Sequence, residues 1–217
     1  MILGIDTSLG STVAVVESDG VVRSQVESPD PRGHAEVIGA LIEQALREAS
    51  IRPADITHVA AGMGPGPFTG LRVGIAAART FALGRGVPVV PVVSHDAVAL
   101  ELLLHDALTG DREADDPFAV VTDARRREFA STVYRGLDDD GLPRRLAEPT
   151  LIPRDELDAR LDALGALRRD TGRIPAGMLA VCAARALAAG REIGPADALY
   201  LRSPDVTVPA GPKKVGS

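Results

Sequence analysis

Short apolar runs separated by polar turns open the chain, and their composition predicts three strands. Residues 2–6, 12–16 and 21–27 are rich in Val and Ile, and the third run alternates apolar with polar positions. An Asp-Gly pair at 19–20 separates the second run from the third, which is a strong signal for a hairpin turn. The three strands are therefore expected to follow one another as a meander.

A helical period replaces this pattern after the meander. Residues 34–49 place apolar side chains three and four positions apart, which predicts a helix. The elements that follow alternate in type, with strands expected at 56–62 and 87–93 and helices at 69–83 and 95–108. A meander followed by alternating helices and strands predicts an α/β domain with a mixed sheet.

The second half of the chain repeats the pattern of the beginning. Residues 118–134 again form an apolar strand ending in Asp, a turn and an alternating strand, so Asp123 corresponds to Asp6. Asp138 to Gly141 is expected to form a further hairpin turn, and helices are expected at 153–164 and 176–190.

The polar segment 109–117 separates the two halves and predicts a domain boundary. We expect a first domain over 1–108 and a smaller second domain over 109–205, ending in a short strand at 198–203. Pro, Gly, Lys and Ser dominate 206–217, which is typical of a mobile tail.

The composition is that of a soluble globular protein, with 45% hydrophobic and 25% charged residues. The net charge of −6 argues against a domain whose main task is to grip nucleic acid. No apolar stretch reaches the roughly 20 residues of a membrane-spanning helix, and the first residues lack the basic region of a signal peptide. The single cysteine, Cys182, cannot form an internal disulfide, which favours a reduced, cytoplasmic protein.

The glycine-rich stretch "GMGPGPFTGLRVG" from Gly62 to Gly74 fails the usual tests for a phosphate loop. A dinucleotide fingerprint starting at Gly62 requires glycine where Pro67 stands, and no lysine occurs before Lys213 to complete a Walker A loop. The start of the following helix could still hold an anion on its backbone N–H groups. The alternative, equally supported by these residues, is that the stretch only shapes a tight crossover.

The helix after this stretch carries small residues at every fourth position: Gly70, Gly74, Ala78 and Ala82. A face almost without side chains lets another backbone approach closely. The approaching element is either the protein's own sheet or a helix of another chain, and the stripe alone favours the sheet.

Few residues offer catalytic or metal-binding chemistry. Asp6 could position a metal or a phosphate, or it could form an Asp-x-Ser turn. The four histidines provide no pair at metal-ligand spacing, and no G-x-S-x-G elbow supports a nucleophilic serine. The basic turn Arg125 to Arg127 is more typical of a solvated loop than of an RNA contact. We therefore predict no catalytic residue and no metal site.

Five motifs, in their order along the chain, resemble those of bacterial TsaB proteins, also called YeaZ: "ILGIDTS", "GHAEVI", "GPGPFTGLRVGIA", "VTDARRREFA" and "ALYLRSPDV". The resemblance implies a two-domain α/β fold with mixed sheets, of the actin/Hsp70/sugar-kinase (ASKHA) type. The segment between Leu164 and Ala176 is short and charged, so the second domain is expected to be trimmed.

The resemblance also implies a function, that of a non-catalytic relative of TsaD. Such a protein forms a heterodimer with TsaD, is joined by the ATPase TsaE, and serves the threonylcarbamoyladenosine modification of tRNA in the cytoplasm. It lacks the metal-binding His-x-x-x-His of TsaD, and here Ile38 stands four residues after His34. No intrinsic cofactor is implied; ATP or ADP and tRNA would be met only within the assembly, and a homodimer of the isolated chain stays open.

Carried onto this sequence, the family's partner contact falls on the helices at 34–49 and 69–83. The implied interface residues are Val37, Ile38, Leu41, Gly70, Leu71, Gly74, Ile75, Ala78 and Ala82. On this basis Gly74→Trp is expected to abolish partner binding and leave the fold intact.

The runner-up interpretation is an ATP-dependent phospho- or acyltransferase that acts through Asp6, Asp123 and the Gly64–Thr69 loop. Its candidate nucleotide or anion contacts are Asp6, Thr7, Ser8, Gly64, Gly66, Thr69 and Asp123. A peptidase is disfavoured, because the sequence offers neither a metal pair nor a convincing triad.

Overall fold

Two β-sheets organise the chain in the computed structural model, which describes residues 1–28, 33–110 and 115–202. The predicted tail at 206–217 and residues 111–114 of the predicted boundary lie outside the described residues. The division into domains at residue 108 stays a prediction.

The first sheet contains the predicted meander and two further strands. Its strands are β1 (Ile2–Asp6), β2 (Ser11–Val16), β3 (Val22–Ser28), β4 (His58–Gly62) and β5 (Val89–Val92), in the order β3-β2-β1-β4-β5. The first three pair antiparallel, whereas β4 lies parallel to β1 and β5 parallel to β4. The expected mixed sheet is thereby confirmed.

The second sheet repeats this arrangement on a smaller scale. Its strands are β6 (Phe118–Asp123), β7 (Glu128–Leu137), β8 (Pro143–Pro153) and β9 (Leu167–Asp170), in the order β8-β7-β6-β9. As in the first sheet, the leading strand pairs antiparallel with the next strand and parallel with a later one. The short segment between Leu164 and Ala176 thus contributes one strand, β9.

Five α-helices cover the sheets within the described part of the chain. They are α1 (His34–Glu48), α2 (Phe68–Arg85), α3 (Ser94–Thr109), α4 (Leu157–Ala163) and α5 (Ala176–Ala188). Because strand side chains alternate between faces, Leu3 and Ile5 pack under α1 and α2, whereas Ile2 lies in the core shared by α3 and α5. That second core also includes Phe118 and Tyr134 of the second sheet, so α3 and α5 join the two sheets.

The last predicted strand is wrong over its described part, because residues 198–202 form no strand. The segment is instead attached by isolated contacts. Leu199 donates its N–H to the Met63 carbonyl at 2.7 Å, and Arg79 donates to the carbonyl of Ala196 at 2.8 Å. Single hydrogen bonds of this kind hold the segment against the rest of the molecule, but they do not form the repeated pairing of a β-strand.

The small-residue stripe of α2 packs against the protein's own β1–β2 turn. A Cβ atom on Gly70 would lie 2.6 Å from the Thr7 carbonyl oxygen, and one on Gly74 would lie 2.3 Å from Thr7 Oγ1. Thr7 Oγ1 also donates to the Gly70 carbonyl at 2.6 Å and accepts from the Gly74 N–H at 2.9 Å. The sheet, and not a second chain, is therefore what approaches the stripe.

This packing places most of the implied partner interface inside the chain. Eight of its nine residues are buried inside the chain, namely Ile38, Leu41, Gly70, Leu71, Gly74, Ile75, Ala78 and Ala82. They face the sheet because α1 and α2 lie on it, and only Val37 is half-buried. The expectation that Gly74→Trp leaves the fold intact conflicts with this packing, since any side chain at that position meets Thr7.

His95 links α3 to the second sheet through a buried polar contact. Its Nδ1 lies 2.7 Å from Thr132 Oγ1 and its Nε2 lies 3.1 Å from Thr122 Oγ1. Burial, with a smaller contribution from the charge of Arg145, lowers the pKa of His95 from 6.5 to about 3. The folded protein therefore keeps this imidazole neutral.

Two glycine substitutions test the packing of α1 and α2. Gly74→Ala is expected to lower the free energy of unfolding by about 1–3 kcal/mol, because the added methyl overpacks the contact with Thr7. Gly39→Ala, in the middle of α1, meets no atom within 4 Å and is expected to raise it by about 0.5–1 kcal/mol. Urea denaturation of the three proteins measures both changes, and equal midpoints would contradict the packing described.

The neutral His95 predicts a loss of stability in mild acid. The unfolded chain binds a proton at His95 near pH 6.5 and the folded chain does not, so the free energy of unfolding falls as the pH drops below 6.5. The slope from this one group approaches about 1.4 kcal/mol per pH unit well below pH 6.5. Urea denaturation should show a fall of about 1 kcal/mol between pH 6.5 and 5.5 in the wild type and the loss of this fall in His95→Gln. His105→Gln, at an exposed position on α3, controls for removing a histidine.

Candidate functional site

The turn after β1 is closed around the carboxylate of Asp6. This carboxylate accepts hydrogen bonds from the Ser8 N–H at 2.6 Å, from Ser94 Oγ at 2.5 Å and from Ser8 Oγ at 3.2 Å. Asp6 is 1% exposed, and burial raises its pKa although these hydrogen bonds oppose the shift. The Asp-x-Ser turn interpretation thus describes Asp6, whose hydrogen bonds stay within the protein.

The neighbouring polar residues are engaged in the same way. Thr7 holds the start of α2, and Ser8 Oγ lies 3.0 Å from Ser94 Oγ. Thr7 and Ser8 are each no more than 2% exposed. The first-sheet turn therefore presents neither hydroxyl to a ligand at the surface.

The glycine stretch lies against this turn and continues into α2. Gly64 donates its N–H to Ser94 Oγ at 3.0 Å, while its carbonyl accepts from the Ser94 N–H at 2.8 Å. A Cβ atom on Gly66 would lie 2.9 Å from the Ser8 Cα, so the two turns are in close contact. Thr69 is exposed in the first turn of α2. The stretch shapes the crossover and fixes where α2 begins.

A cleft of about 300 Å³ opens where the glycine stretch meets the second sheet. Its lining comes from five separate segments and comprises Leu9, Pro65, Gly66, Pro67, Phe68, Thr122, Asp123, Ala124, Arg125, Arg126, Ala130, Leu151, Tyr200, Leu201 and Arg202. Of the predicted anion contacts, only Gly66 and Asp123 line it. Asp6, Thr7, Ser8, Gly64 and Thr69 do not, so the structure does not bring the predicted set together.

Asp123 differs from its counterpart Asp6 in being exposed. It accepts a hydrogen bond from the Arg125 N–H at 2.8 Å and forms an ion pair with Arg154 at 2.7 Å. The backbone hydrogen bond from Arg125, followed by the contact with Arg154, lowers the pKa of Asp123. The two repeats therefore place one carboxylate inside the protein and one, ionised, at the cleft.

The turn between β6 and β7 carries three consecutive arginines in the left-handed region. Arg125, Arg126 and Arg127 have φ values of 63°, 49° and 64°. Such a conformation costs an L-residue about 1–2 kcal/mol, and strain of this kind often accompanies function. Arg125 and Arg126 line the cleft and Arg127 does not. The sequence predicted a solvated turn and did not distinguish Arg125 and Arg126, which line the cleft, from Arg127, which does not. The absence of glycine from so tight a turn was the one sequence feature that indicated an unusual backbone.

An aromatic pair forms another part of the cleft lining. The rings of Phe68 and Tyr200 have centroids 4.8 Å apart, and the guanidinium of Arg72 lies 3.6 Å from the Phe68 centroid. Arg72 Nε also donates to the Tyr200 hydroxyl at 3.1 Å. Nearby, Arg202 forms an ion pair with Glu128. Sequence reasoning missed Phe68, Tyr200 and Arg202, because their segments meet only in the fold.

The described residues hold no group of three or more His, Cys, Asp or Glu side chains that could bind a metal ion. His34, the first position of the sought histidine pair, has its Nδ1 2.8 Å from Ser11 Oγ. Across the same described ranges, no helix has the length and apolar character needed to cross a membrane.

Comparison with known proteins relates the chain to a tRNA-modifying family. Residues 20–144 match the family of TsaD, tRNA N6-adenosine threonylcarbamoyltransferase. An uncharacterized protein of Mycobacterium tuberculosis is 40% identical over 129 residues, which is 58% of this chain and 56% of the relative. The tRNA N6-adenosine threonylcarbamoyltransferase of Streptococcus pneumoniae is 44% identical over 107 residues, 42% of this chain and 32% of that enzyme. The chain thus spans about half the length of the mycobacterial relative and about a third of the length of the streptococcal enzyme.

Solved structures agree with the fold expected from the sequence. YeaZ from Pseudomonas aeruginosa superposes with a TM-score of 0.72 at 23% identity, covering 92% of this chain and 99% of that one. A crystal structure of a protein with similarity to peptidase YEAZ from the same organism gives 0.73 at 24% identity, with 93% and 99% covered. These likenesses confirm the two mixed-sheet architecture of the ASKHA type. The chain belongs to the TsaD-related family of tRNA N6-adenosine threonylcarbamoyltransferases and has the YeaZ fold within it.

Proposed function

We propose that the chain is a non-catalytic subunit that pairs with TsaD for threonylcarbamoyl transfer to adenosine in tRNA. Family membership gives the reaction, and the outer surface of α1 and α2 supports the pairing. The residues that carry the pairing are then the exposed ones of these helices and not the buried stripe.

The observation that carries this proposal is Gly39 in the middle of α1. A glycine there weakens the helix by roughly 0.5–1 kcal/mol relative to alanine. A Cβ atom at Gly39 would meet nothing within 4 Å, so packing inside the chain does not require glycine. Close approach of another backbone from outside would require it.

The outer surface of the two helices combines small residues with charged ones, such as Glu36 and Glu43 beside Gly39. Ala35 and Ala40 are exposed on α1, and Ala76 and Thr80 are exposed on α2. Leu83 near the end of α2 is 84% exposed, an apolar side chain that a partner would cover. Small residues with an apolar edge suit helix-to-helix packing between subunits.

The absence of catalysis is supported by the chemistry of the first-sheet turn. Asp6, Thr7 and Ser8 are buried and bonded internally, so the β1–β2 turn exposes no acid or nucleophile. The position of the second metal-binding histidine is taken by Ile38, which lies in the core. TsaD would therefore supply the catalytic residues.

Further partners follow from the same proposal. TsaE would join the pair, ATP or ADP would bind at the level of the assembly, and the setting would be the cytoplasm. With a net charge of −6 on this chain, TsaD would provide most of the tRNA grip. An isolated chain could use the same outer surface to form a homodimer.

The alternative of an ATP-dependent phospho- or acyltransferase gains no support from the geometry. It requires Asp6 and Asp123 to act on one ligand, whereas only Asp123 lines the cleft. Tight, magnesium-dependent ATP binding by the isolated chain, weakened by Asp6→Ala, is the result that would favour it.

Co-expression with TsaD of the same organism, followed by size-exclusion chromatography with light scattering, tests the pairing. A one-to-one complex is expected for the wild type, and Gly39→Ala should weaken it because its methyl group meets the partner backbone. Gly39→Trp should abolish it, because the indole fills the space that a partner backbone needs. Thermal unfolding of the isolated variants checks that each is folded.

Gly172→Trp is the matched control. Gly172 is also exposed with open space around it, but it follows β9 in the second sheet, so its variant should still form the complex. A complex that survives Gly39→Trp would move the interface away from α1. No complex with the wild type, even with TsaE and ATP added, would refute the pairing itself.

A further inference from the structure

Pairing through the outer surface of α1 and α2 assigns no role to the cleft between the glycine stretch and the second sheet. At about 300 Å³ it is comparable to the smallest pockets that hold small molecules, roughly 300–1,000 Å³. We propose that it binds a single-stranded RNA segment, with one unpaired nucleotide in the cleft and the adjoining phosphates on the arginine turn of Arg125 and Arg126.

The charges around the cleft favour an anionic ligand. In the described part of the chain, two carboxylates near the cleft are already paired, Asp123 with Arg154 and Glu128 with Arg202. Arg125 and Arg126 add further positive charge at the lining, and both side chains are exposed. The lining therefore presents exposed arginine side chains although the whole chain is acidic, and phosphate groups are the anions that arginine binds best.

The aromatic lining favours a base beside that phosphate. Phe68 and Tyr200 lie together at the cleft, and the side chain of Tyr200 is 39% exposed. Unpaired bases stack on such rings, and proteins that bind single strands combine aromatic side chains with a positively charged groove. Base-paired RNA offers no free base face, so the cleft should prefer a single strand.

The carboxylates argue for an RNA strand over a free nucleoside triphosphate. A triphosphate is usually bound with Mg²⁺, which a protein holds through one or two carboxylates. Among the described residues, Asp123 is the only carboxylate in the cleft lining, and Arg154 is paired with it. A phosphodiester carries a single charge and needs no metal, which suits arginine alone. The family's RNA substrate supplies such strands in its unpaired loops.

The strained arginine turn connects these observations. Three left-handed residues in succession would relax if glycine occupied the turn, yet each is an arginine with an exposed side chain. The turn aims two of them at the cleft and leaves Arg127 outside it. Arg127 has the same charge and backbone conformation, so it provides a matched control for the other two.

Fluorescence anisotropy with a fluorescein-labelled single-stranded RNA of mixed sequence and about eight nucleotides tests the proposal on the isolated full chain. The wild type should bind with an affinity that falls steeply as salt rises from about 50 to 200 mM. The double variant Arg125→Ala/Arg126→Ala should bind at least about tenfold more weakly, and Arg127→Ala within about twofold of the wild type. Phe68→Leu should also lose about tenfold, because the stacking ring is gone.

Thermal unfolding of each variant shows whether it is folded, and Tyr200→Leu replaces Phe68→Leu if that variant is not. A loss in log affinity for Arg127→Ala of half the double variant's loss or more would overturn the proposal, since binding would then follow the number of charges removed. So would equal affinity for a duplex of the same RNA, or full displacement of the RNA by AMP or by ATP with Mg²⁺. No binding by the wild type at about 0.5 mM, above even non-specific dissociation constants, would overturn it too. Because TsaD is absent, failure here is independent of failure of the pairing.

Discussion

Thr7 holds together the two elements on which the rest of this structure depends. Its hydroxyl donates to the Gly70 carbonyl and accepts from the Gly74 N–H, so one side chain fixes the first turns of α2 on the β1–β2 turn. The contact is possible only because both glycines lack a Cβ atom. α2 in turn packs on the first sheet beside α1, and its first residue, Phe68, lines the cleft. The position of the cleft thus depends on this contact.

The same contact explains why the first turn offers no chemistry to a ligand. Asp6, Thr7 and Ser8 direct their polar atoms at Ser94, Gly70 and Gly74, and their burial leaves the surface of the cleft to other residues. The second repeat is arranged differently. There Asp123 is exposed, its turn consists of strained arginines, and its neighbours line the cleft. The β1–β2 turn thus serves packing inside the protein, whereas the β6–β7 turn of the same topology places charged side chains at the cleft.

The division of the surface follows from this arrangement. The outer side of α1 and α2 carries small residues, an exposed leucine and a glycine that the chain's own packing does not need. The cleft carries arginine and aromatic side chains from segments far apart in sequence. A surface with small residues suits another protein, and a charged aromatic cleft suits a nucleic acid, so the two could act together without competing.

The sequence by itself determined the elements and their order, because hydrophobic period records which face of a strand or helix is buried. The meander, the helices α1, α2, α3 and α5 and the repeated strand pair at 118–134 all follow from such local patterns. The family was also visible, since its motifs are short and contiguous. The sequence did not show which element packs against the small-residue stripe of α2, because small residues fit a partner's helix as well as the protein's own turn. Only the fold placed Thr7 under Gly74 and brought Tyr200 to Arg72, 128 positions away. Such contacts depend on how the chain crosses itself, which packing of the whole molecule decides and no local pattern records.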